Sequence, residues 1–484
     1  MIDYKSLTQS DTDEILKDVS FLTKPLHHQA VTIVWAADIG NRLMLWHDVG
    51  TGKTLSSLYI NQIWETKRLL IVCPNSVMHS WEEQIQLHST QSFCFLKGSA
   101  EKRRELMQDS KANILIINYE GLRCLYGVQK KDKHSGKKRW YVNKSALKLV
   151  PFDSIVFDEC HHLKSPDALQ SKIAYEISSR VDNVIAMTGT PISTGYENLH
   201  NQYLVLDGGN TLGANRFRFL RQYFDQDFWG GWTIKDKENA KMILDRIAPV
   251  TLRYERTECF DLPTKTYNIR TCEMTAEQKK LTNDIIHGMN IETESGELTA
   301  ADALHVGNKL SQITGGLLIM DDKTVHRLKK PPKLDLLQEL VVDCPGKMII
   351  FHNYIMESTL IEERLHKLKI PFAAIRGETK DKASEIKRFQ NDVKCKVLLA
   401  HPKSGGEGLN LQAANTIVFY SNGTNGADVR EQCEGRIWRY GQINQCMYFD
   451  LIVEDSIDEK RLEKTSNRKD MADKILQYIQ NHKS

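Results

Sequence analysis

The sequence predicts an α/β protein of two parallel-sheet lobes with helical insertions between them. Three observations predict it. Short apolar runs closed by turn or polar residues recur along the chain, helix-like segments separate them, and the runs fall into two sets with a stretch of different texture between. Runs that are apolar at every position mark strands buried on both faces. Their alternation with helices is the pattern of a parallel sheet covered on both sides.

The first set is Leu43–Trp46, Leu69–Cys73, Ile114–Ile117, Ile155–Phe157 and Val184–Met187. The second is Met348–Phe351, Phe372–Ile375, Val397–Ala400, Thr416–Tyr420 and Met447–Val453. Between them, Asn198 to about Lys333 reads as mostly helical, with aromatics clustered from Phe217 to Trp232. Leu262-Pro263-Thr264-Lys265 reads as a linker, Gly288 to Thr299 as a polar segment, and Lys329-Lys330-Pro331-Pro332-Lys333 as a stiff basic connector. The expected division is an N-terminal lobe over 1–255 with a helical insertion after about 198, a bridge and helical protrusion over 256–345, and a C-terminal lobe over 346–484.

Composition removes several classes. The 484 residues are 41% hydrophobic and 26% charged, an ordinary globular balance. No apolar run approaches the ~18 residues of a membrane helix. Asp3, Lys5, Asp11, Asp13 and Glu14 are foreign to a signal peptide. The ten cysteines include no CxxC pair, which argues against a zinc ribbon and for reduced thiols. A cytoplasmic protein without a membrane partner is expected. The 65 Lys and Arg against 62 Asp and Glu leave +3, which suits a polyanion partner only if basic residues are segregated.

His47-Asp48-Val49-Gly50-Thr51-Gly52-Lys53-Thr54 follows the first strand and opens a helical run. Glycines let backbone N–H groups approach phosphate, and the helix N-terminus adds a favourable dipole. Lys53 is expected to reach the β- and γ-phosphates of ATP, and the Thr54 hydroxyl to ligate Mg²⁺. His47 stands where the general pattern begins with Gly. The plainer alternative is a chance Gly-rich turn.

Ile155-Val156-Phe157 runs into Asp158-Glu159-Cys160-His161. Ligands bind at the carboxyl ends of strands in open parallel sheets. Adjacent carboxylates there suit Asp158 to Mg²⁺ and Glu159 to orienting or deprotonating the attacking water. The alternative is a solvated loop. Thr188 and Thr190, at the end of the next run, are candidates for sensing the γ-phosphate, against an ordinary strand-to-loop turn.

In the second set, Ser404-Gly405-Gly406-Glu407-Gly408-Leu409-Asn410-Leu411 is a Gly-dense loop. Gln432 to Gln442 then carries Arg436 and Arg439, three apart and so on one face if helical. Guanidiniums fork onto phosphate oxygens and suit an arginine-finger role; two surface arginines are the alternative.

In order, these residues resemble the motif series of superfamily-two helicases, and most closely its Swi/Snf-like branch of DNA translocases. Leu26-His27-His28-Gln29 with Trp35 is similar to that family's adenine-recognition segment. Val72-Cys73-Pro74 with Trp81-Glu82, Asn118-Tyr119-Glu120, Thr188-Gly189-Thr190-Pro191, Leu252-Arg253 and Asp261–Lys265 follow. Met274–Gln278, Ile350-Phe351, Arg376-Gly377 and the motif ending in Tyr440-Gly441-Gln442 complete it. The series spans about residues 26 to 455.

The resemblance implies RecA-like lobes and ATP bound with Mg²⁺ between them. His27, Gln29, the segment from His47 to Thr54, and Gln432 would contact ATP. Lys53, Asp158, Glu159, Arg436 and Arg439 would be catalytic, and Thr188, Thr190, Gly406 and Gly408 coupling residues. It further implies an ATP-dependent translocase on double-stranded or branched DNA, acting as a monomer and akin to compact bacterial or phage members. Strand separation, nucleotide-gated loading of a partner and RNA-dependent hydrolysis are the rival readings. Ser421-Asn422-Gly423-Thr424 replaces the family's usual Asp followed by Trp-Asn-Pro, and Trp438 replaces its usual His.

DNA contacts are expected to be to phosphate. The candidates are Asn118, Tyr119, Asn353, Ser404 and a basic insertion with Lys130, Lys131, Lys137, Lys138, Arg139 and Trp140 around a His134-Ser135-Gly136 turn. That insertion reads as a DNA contact, a junction wedge or a solvated charged hairpin. Arg216, Arg218 and Arg221 among Phe217, Phe219 and Tyr223 read as helix packing with snorkelling arginines.

Overall fold

The structure is a computed structural model and describes residues 3–131, 138–148, 150–192, 195–226, 231–294, 300–320, 322–376, 379, 381–405, 411–422 and 427–463. These divide into two compact units, one ending at Phe260 and the other starting at Asp261. Among the described residues no helix is long and apolar enough to cross a membrane.

The first unit is built on a seven-stranded sheet: β1 (Arg42–Leu45), β2 (Leu69–Cys73), β3 (Phe93–Phe95), β4 (Ile114–Asn118), β5 (Ser154–Asp158), β6 (Asn183–Met187) and β7 (Thr251–Leu252). Its order is β7-β1-β6-β5-β2-β4-β3, and every pair is parallel. The unbroken apolar runs have a direct cause. Met44, Leu70, Val72, Ile155 and Phe157 enter the core on one face, while Leu43, Leu45, Leu69, Ile71 and Val156 enter it on the other. Side chains alternate along a strand, so burial on both faces demands an apolar residue at every position. Register places Leu45, Met187, Asp158, Cys73 and Asn118 together at the carboxyl ends of their strands.

The second unit carries β8 (Lys265–Cys272), β9 (Lys347–Phe351), β10 (Phe372–Ile375), β11 (Val397–Ala400), β12 (Ala414–Phe419) and β13 (Cys446–Val453). They form a parallel sheet of order β8-β13-β12-β9-β11-β10, again between two apolar layers. The fold is the expected α/β architecture of two RecA-like parallel sheets with interspersed helices.

Three sheet strands lie outside the expected sets. β3 is half-buried and β7 has two residues. β8 is an edge strand with polar residues along it and with Tyr267 and Ile269 exposed. An edge strand satisfies its backbone with one neighbour and needs no apolar run. The stretch read as helical therefore contains β7 and β8, and also two hairpins, Phe224–Gln226 with Trp232–Ile234 and Leu317–Ile319 with Val325–Arg327. The basic connector differs too. Pro332 opens the helix Pro332–Asp343, and Lys333 is fully buried against Asp458 at 2.6 Å. A buried ammonium needs such a partner.

Candidate functional site

The segment from His47 to Thr54 leaves β1 and ends in the helix Lys53–Ile63. Gly52 caps that helix at φ +83°, and a Cβ there would lie 2.2 Å from Gln29 Nε2. The left-handed backbone conformation favours glycine at this position. Gln29 holds the loop from the other side: its Oε1 accepts from Leu26 N at 2.8 Å, and its Nε2 donates to the Thr51 carbonyl at 3.3 Å. The same carbonyl accepts from His28 Nε2 at 2.7 Å. His28 is buried, and burial lowers its pKa. His27, the residue singled out in the sequence, is exposed in the first turn of its helix. A helix beginning at adjacent histidines directs only one of them inward, and composition cannot say which.

His47 is buried edge-on to Tyr254, with ring centroids 5.4 Å apart, and its Nε2 lies 3.1 Å from Thr32 Oγ1. The imidazole in the glycine position thus packs inward. Asp48 Oδ2 accepts from Arg256 N at 3.0 Å, tying the loop to the chain after β7. Val49 and Thr51 are buried and Gly50 half-buried. The buried Lys53 ammonium donates to the carbonyls of His47 at 2.7 Å and Asp48 at 3.1 Å. Burial lowers the pKa of Lys53; the fields of Glu159, Asp158 and Asp48 oppose that shift. Thr54 is half-buried in the first turn.

The acidic pair ends β5. Asp158 is buried, its Oδ2 accepts from the Trp81 indole at 2.9 Å, and its carbonyl accepts from the Tyr119 hydroxyl at 2.7 Å. Burial and the neighbouring Glu159 carboxylate push Asp158 above the usual carboxylate range, against the Trp81 bond and Lys53. Glu159 sits at φ +52°. Burial raises its pKa, but the hydrogen bond and charge of His161, with Lys53 and Thr188, outweigh this and hold it low. Thr188 Oγ1 donates to Glu159 Oε2 at 3.0 Å, and His161 Nδ1 lies 3.1 Å from Thr188 Oγ1 and 3.2 Å from Glu159 Oε2. Thr190 N donates to Thr188 Oγ1 at 3.1 Å, while the buried Thr190 hydroxyl has no hydrogen-bond partner among the described residues. A Cβ on Gly189 would meet Val49 Cγ2 at 2.8 Å, so glycine lets this turn lie against the phosphate-loop segment. Lys53, Asp158, Glu159 and Thr188 therefore lie together at the carboxyl ends of the central strands. Trp81, Tyr119, His161 and His28 are the residues that position them.

In the second unit, Gln432 is buried in the helix Ala427–Glu434. Arg436 (buried) and Arg439 (half-buried) follow that helix in a run of turns, so they do not share a helical face as expected. The helix stops at Glu434, before Gly435. Gln442 Nε2 then gathers the run by donating to the carbonyls of Gln412, Ala414 and Ile437 at 2.9 to 3.3 Å. Trp438 donates from Nε1 to the Pro263 carbonyl at 2.7 Å, and the Lys265 ammonium lies 3.9 Å from its ring centroid. The Trp in place of His thus fastens the motif to the start of β8. Arg430 pairs bidentately with Asp450 at 2.7 and 2.9 Å and bonds Glu434 at 2.8 Å.

Asn118 caps the helix Tyr119–Tyr126 through Gly121 N. Tyr119 is 3% exposed, so its ring serves the acidic strand end. Lys130, Lys131, Lys138, Arg139 and Trp140 lie exposed on an antiparallel hairpin of Gly127–Lys131 with Lys138–Val142. Asn353 Nδ2 donates to the Ser421 carbonyl, and Ser421 Oγ donates to Glu357 Oε2 at 2.7 Å. Ser404 lies in the short helix Pro402–Gly405. Lys137, Gly406 and Gly408 lie outside the described residues. Arg216 is half-buried on Glu197, with its Nη1 donating to that residue's carbonyl, whereas Arg218 and Arg221 are exposed beside Phe217.

Among the described residues no three His, Cys, Asp or Glu side chains gather into a metal cage. Thr54 and Asp158 offer the hard oxygen donors that suit Mg²⁺ held jointly with phosphates.

Comparison with known proteins bears on the whole chain. Residues 28–316 match the SNF2-related domain, and residues 332–441 match the helicase conserved C-terminal domain. The probable ATP-dependent DNA helicase CHR23 of Arabidopsis thaliana is 25% identical over 462 residues, covering 90% of this chain and 41% of that protein. The chain thus spans about two-fifths of that relative's length. Putative protein p41 of Acyrthosiphon pisum secondary endosymbiont phage 1 is 25% identical over 492 residues, covering 95% of this chain and 99% of p41. Among solved structures, the Sulfolobus solfataricus SWI2/SNF2 ATPase core in complex with dsDNA matches at 22% identity and a TM-score of 0.43, covering 93% of each chain. The match to the SNF2-related domain covers more than half of the sequence, and the chain belongs to the SNF2-related branch of helicase superfamily two.

Proposed function

We propose that this chain is an ATP-driven translocase on double-stranded DNA. The observation that carries the reading is the linkage of Thr188 to Glu159, at the same carboxyl end of the sheet as the buried Lys53. Lys53 holds the β- and γ-phosphates once they replace the loop carbonyls as its acceptors. Glu159, kept ionised, orients the attacking water and accepts its proton. Mg²⁺, held by Thr54 and Asp158, would neutralise charge on the phosphate oxygens. Arg436 and Arg439 neutralise the transferring phosphoryl group. Thr188 and Thr190 relay the phosphate state, with Gly406 and Gly408 as coupling glycines of the second unit.

His28 and Gln29 set the nucleotide loop, and Gln432 completes the ATP contacts. Residues 256–345 act as a bridge and protrusion between an N-terminal lobe over 1–255 and a C-terminal lobe over 346–484. DNA, double-stranded or branched, is gripped by its backbone, with Asn118, Asn353 and Ser404 among the contacts. The chain acts as a monomer, since one copy carries every motif of the series. We read it further as a phage-type member working in a prokaryotic cytoplasm, as p41 is a phage protein.

The test is ATP turnover with duplex DNA, single-stranded DNA and RNA, run beside third-strand displacement from a triplex and fork unwinding. Duplex DNA is expected to stimulate most, with the third strand displaced and the fork left paired. Absence of duplex stimulation would sink the reading; fork unwinding would turn it towards a strand-separating helicase.

A further inference from the structure

The helix Leu199–Asp207 packs into the core of the first unit through Leu199, Tyr203, Val205 and Leu206. The Tyr203 hydroxyl also lies 2.6 Å from Thr251 Oγ1, at the start of β7. A helix anchored in this way is a firm frame for its polar side chains. Gln202, on the same helix, is 1% exposed. Its Oε1 accepts from the Cys160 thiol at 3.5 Å, and its Nε2 donates to the carbonyls of Pro191 at 3.0 Å and Asn198 at 3.4 Å.

These partners belong to two different turns of the candidate ATP site. Cys160 follows Glu159 directly, and Pro191 follows Thr190 directly. The same turns are joined once more through Thr188 Oγ1, which accepts from Thr190 N and donates to Glu159 Oε2. The bonds therefore close a ring that runs from Glu159 through Cys160, Gln202, Pro191, Thr190 and Thr188 and returns to Glu159. Glu159 stands at φ +52° and ψ +53°, a left-handed conformation that a residue with a side chain keeps only where its surroundings over-determine it. The helix Leu199–Asp207 holds the far end of that turn as well. Asn201 Nδ2 donates to the Leu163 carbonyl, which also accepts from Ser171 Oγ at 3.3 Å. An apolar side chain at position 202 would serve packing alone without bringing polar atoms out of water. The amide instead fixes one turn against the other.

We propose that Gln202 is a positioning residue for ATP hydrolysis: its amide sets the spacing of the Glu159 turn against the turn of Thr188 to Pro191, so that the carboxylate keeps its aim and both turns respond to nucleotide together. The proposal rests on Glu159 acting as the base. Gln202 works through the ring and not on the reacting atoms, so its loss lowers turnover and leaves nucleotide affinity in place.

The experiment measures ATP turnover, fluorescent-nucleotide affinity and thermal unfolding. The proteins are the full chain, Gln202→Leu, Thr188→Val, the double variant of these two, Cys160→Ala, Cys160→Ser and Glu159→Gln. Gln202→Leu is expected to lower turnover about 10-fold or more, with nucleotide affinity within about twofold of wild type. Adding Thr188→Val should lower turnover by at most about threefold beyond the slower single variant, because both changes release the same carboxylate. Cys160→Ala opens the ring at its other arm and should slow turnover about threefold, and Cys160→Ser, which keeps a donor, should recover most of that loss. Wild-type turnover in Gln202→Leu, or in Cys160→Ala where Gln202→Leu does not fold, overturns the role. Losses that multiply in the double variant make Gln202 and Thr188 independent and overturn the shared ring. Nucleotide affinity that falls in step with turnover assigns Gln202 to packing and overturns positioning. Wild-type turnover in Glu159→Gln overturns the base reading and the role of Gln202 with it, whereas an inactive Glu159→Gln beside a fully active Gln202→Leu overturns Gln202 alone.

Discussion

The Thr188 hydroxyl donates to Glu159 Oε2 at 3.0 Å and accepts from the backbone N–H of Thr190 at 3.1 Å. Because that hydroxyl proton is committed to Glu159, the nearby His161 Nδ1 carries a proton towards both groups. The carboxylate is thereby fixed in orientation and kept ionised at neutral pH, as a base for water requires.

Glu159→Gln keeps the shape of the site and removes the proposed base. ATP and duplex DNA binding are expected to survive, while turnover falls by about 10²–10⁴-fold. Phosphate release measured beside fluorescent-nucleotide binding checks this; wild-type turnover would refute the assignment.

Thr188→Val removes the hydroxyl at nearly constant volume. Turnover is expected to fall roughly tenfold or more, with nucleotide affinity within about twofold of wild type, because only an orienting bond is lost. Thr188→Ser should recover most of the rate. A valine variant as active as the serine variant would separate Thr188 from the chemistry.

Trp81→Phe takes the indole donor from Asp158 and leaves a buried carboxylate oxygen without it. Denaturant unfolding should show the first unit losing about 1–3 kcal/mol. The magnesium concentration for half-maximal turnover should also change, since the carboxylate that Trp81 orients is the proposed ligand. A stability loss with no change in the magnesium curve would leave Trp81 a packing residue alone.

Glu357 supplies a pH test. Burial pushes its carboxyl up to about 7, against the hydrogen bonds from Ser421, Tyr354 N and Asn353 N. A carboxyl whose folded pKa lies above its unfolded value binds more protons when folded. Its contribution to stability is present below the unfolded pKa of about 4.3 and is lost as pH rises through about 7. Unfolding free energies across this window should fall with pH by on the order of 3–4 kcal/mol from this group. Glu357→Gln should flatten that slope; an unchanged slope would assign it elsewhere.

The strands flanking the nucleotide site were legible because they are buried on both faces. Leu69 to Cys73 has no polar position, and no other element explains a run so short. The acidic pair was legible for the opposite reason, as charges closing such a run. β8 was illegible: as an edge strand, its Lys265, Asn268 and Arg270 read as loop. Choosing between His27 and His28 needs the phase of the helix, which adjacent identical residues conceal. Tyr119 belonged to a recognised motif, but its distance from Asp158 in sequence hid the bond between them. Arg436 and Arg439 were singled out by their spacing, yet their geometry is set by the helix ending at Glu434 and by the carbonyls Gln442 gathers.

The pairing of β8 with β13, from Lys265 with Cys446 to Cys272 with Val453, also orders events during synthesis. A chain leaving the ribosome has every strand of the first sheet once Leu252 has emerged. The second sheet begins with a strand whose neighbour is translated after the sheet's other strands, and Lys333 likewise waits for Asp458. The first unit can therefore mature on the ribosome, while the second is held open, its first strand edge and one ammonium exposed, until Val453 and Asp458 have emerged. Contacts so distant in sequence close slowly. Chaperone demand and premature-termination damage should thus fall on the second unit rather than on the nucleotide-binding one.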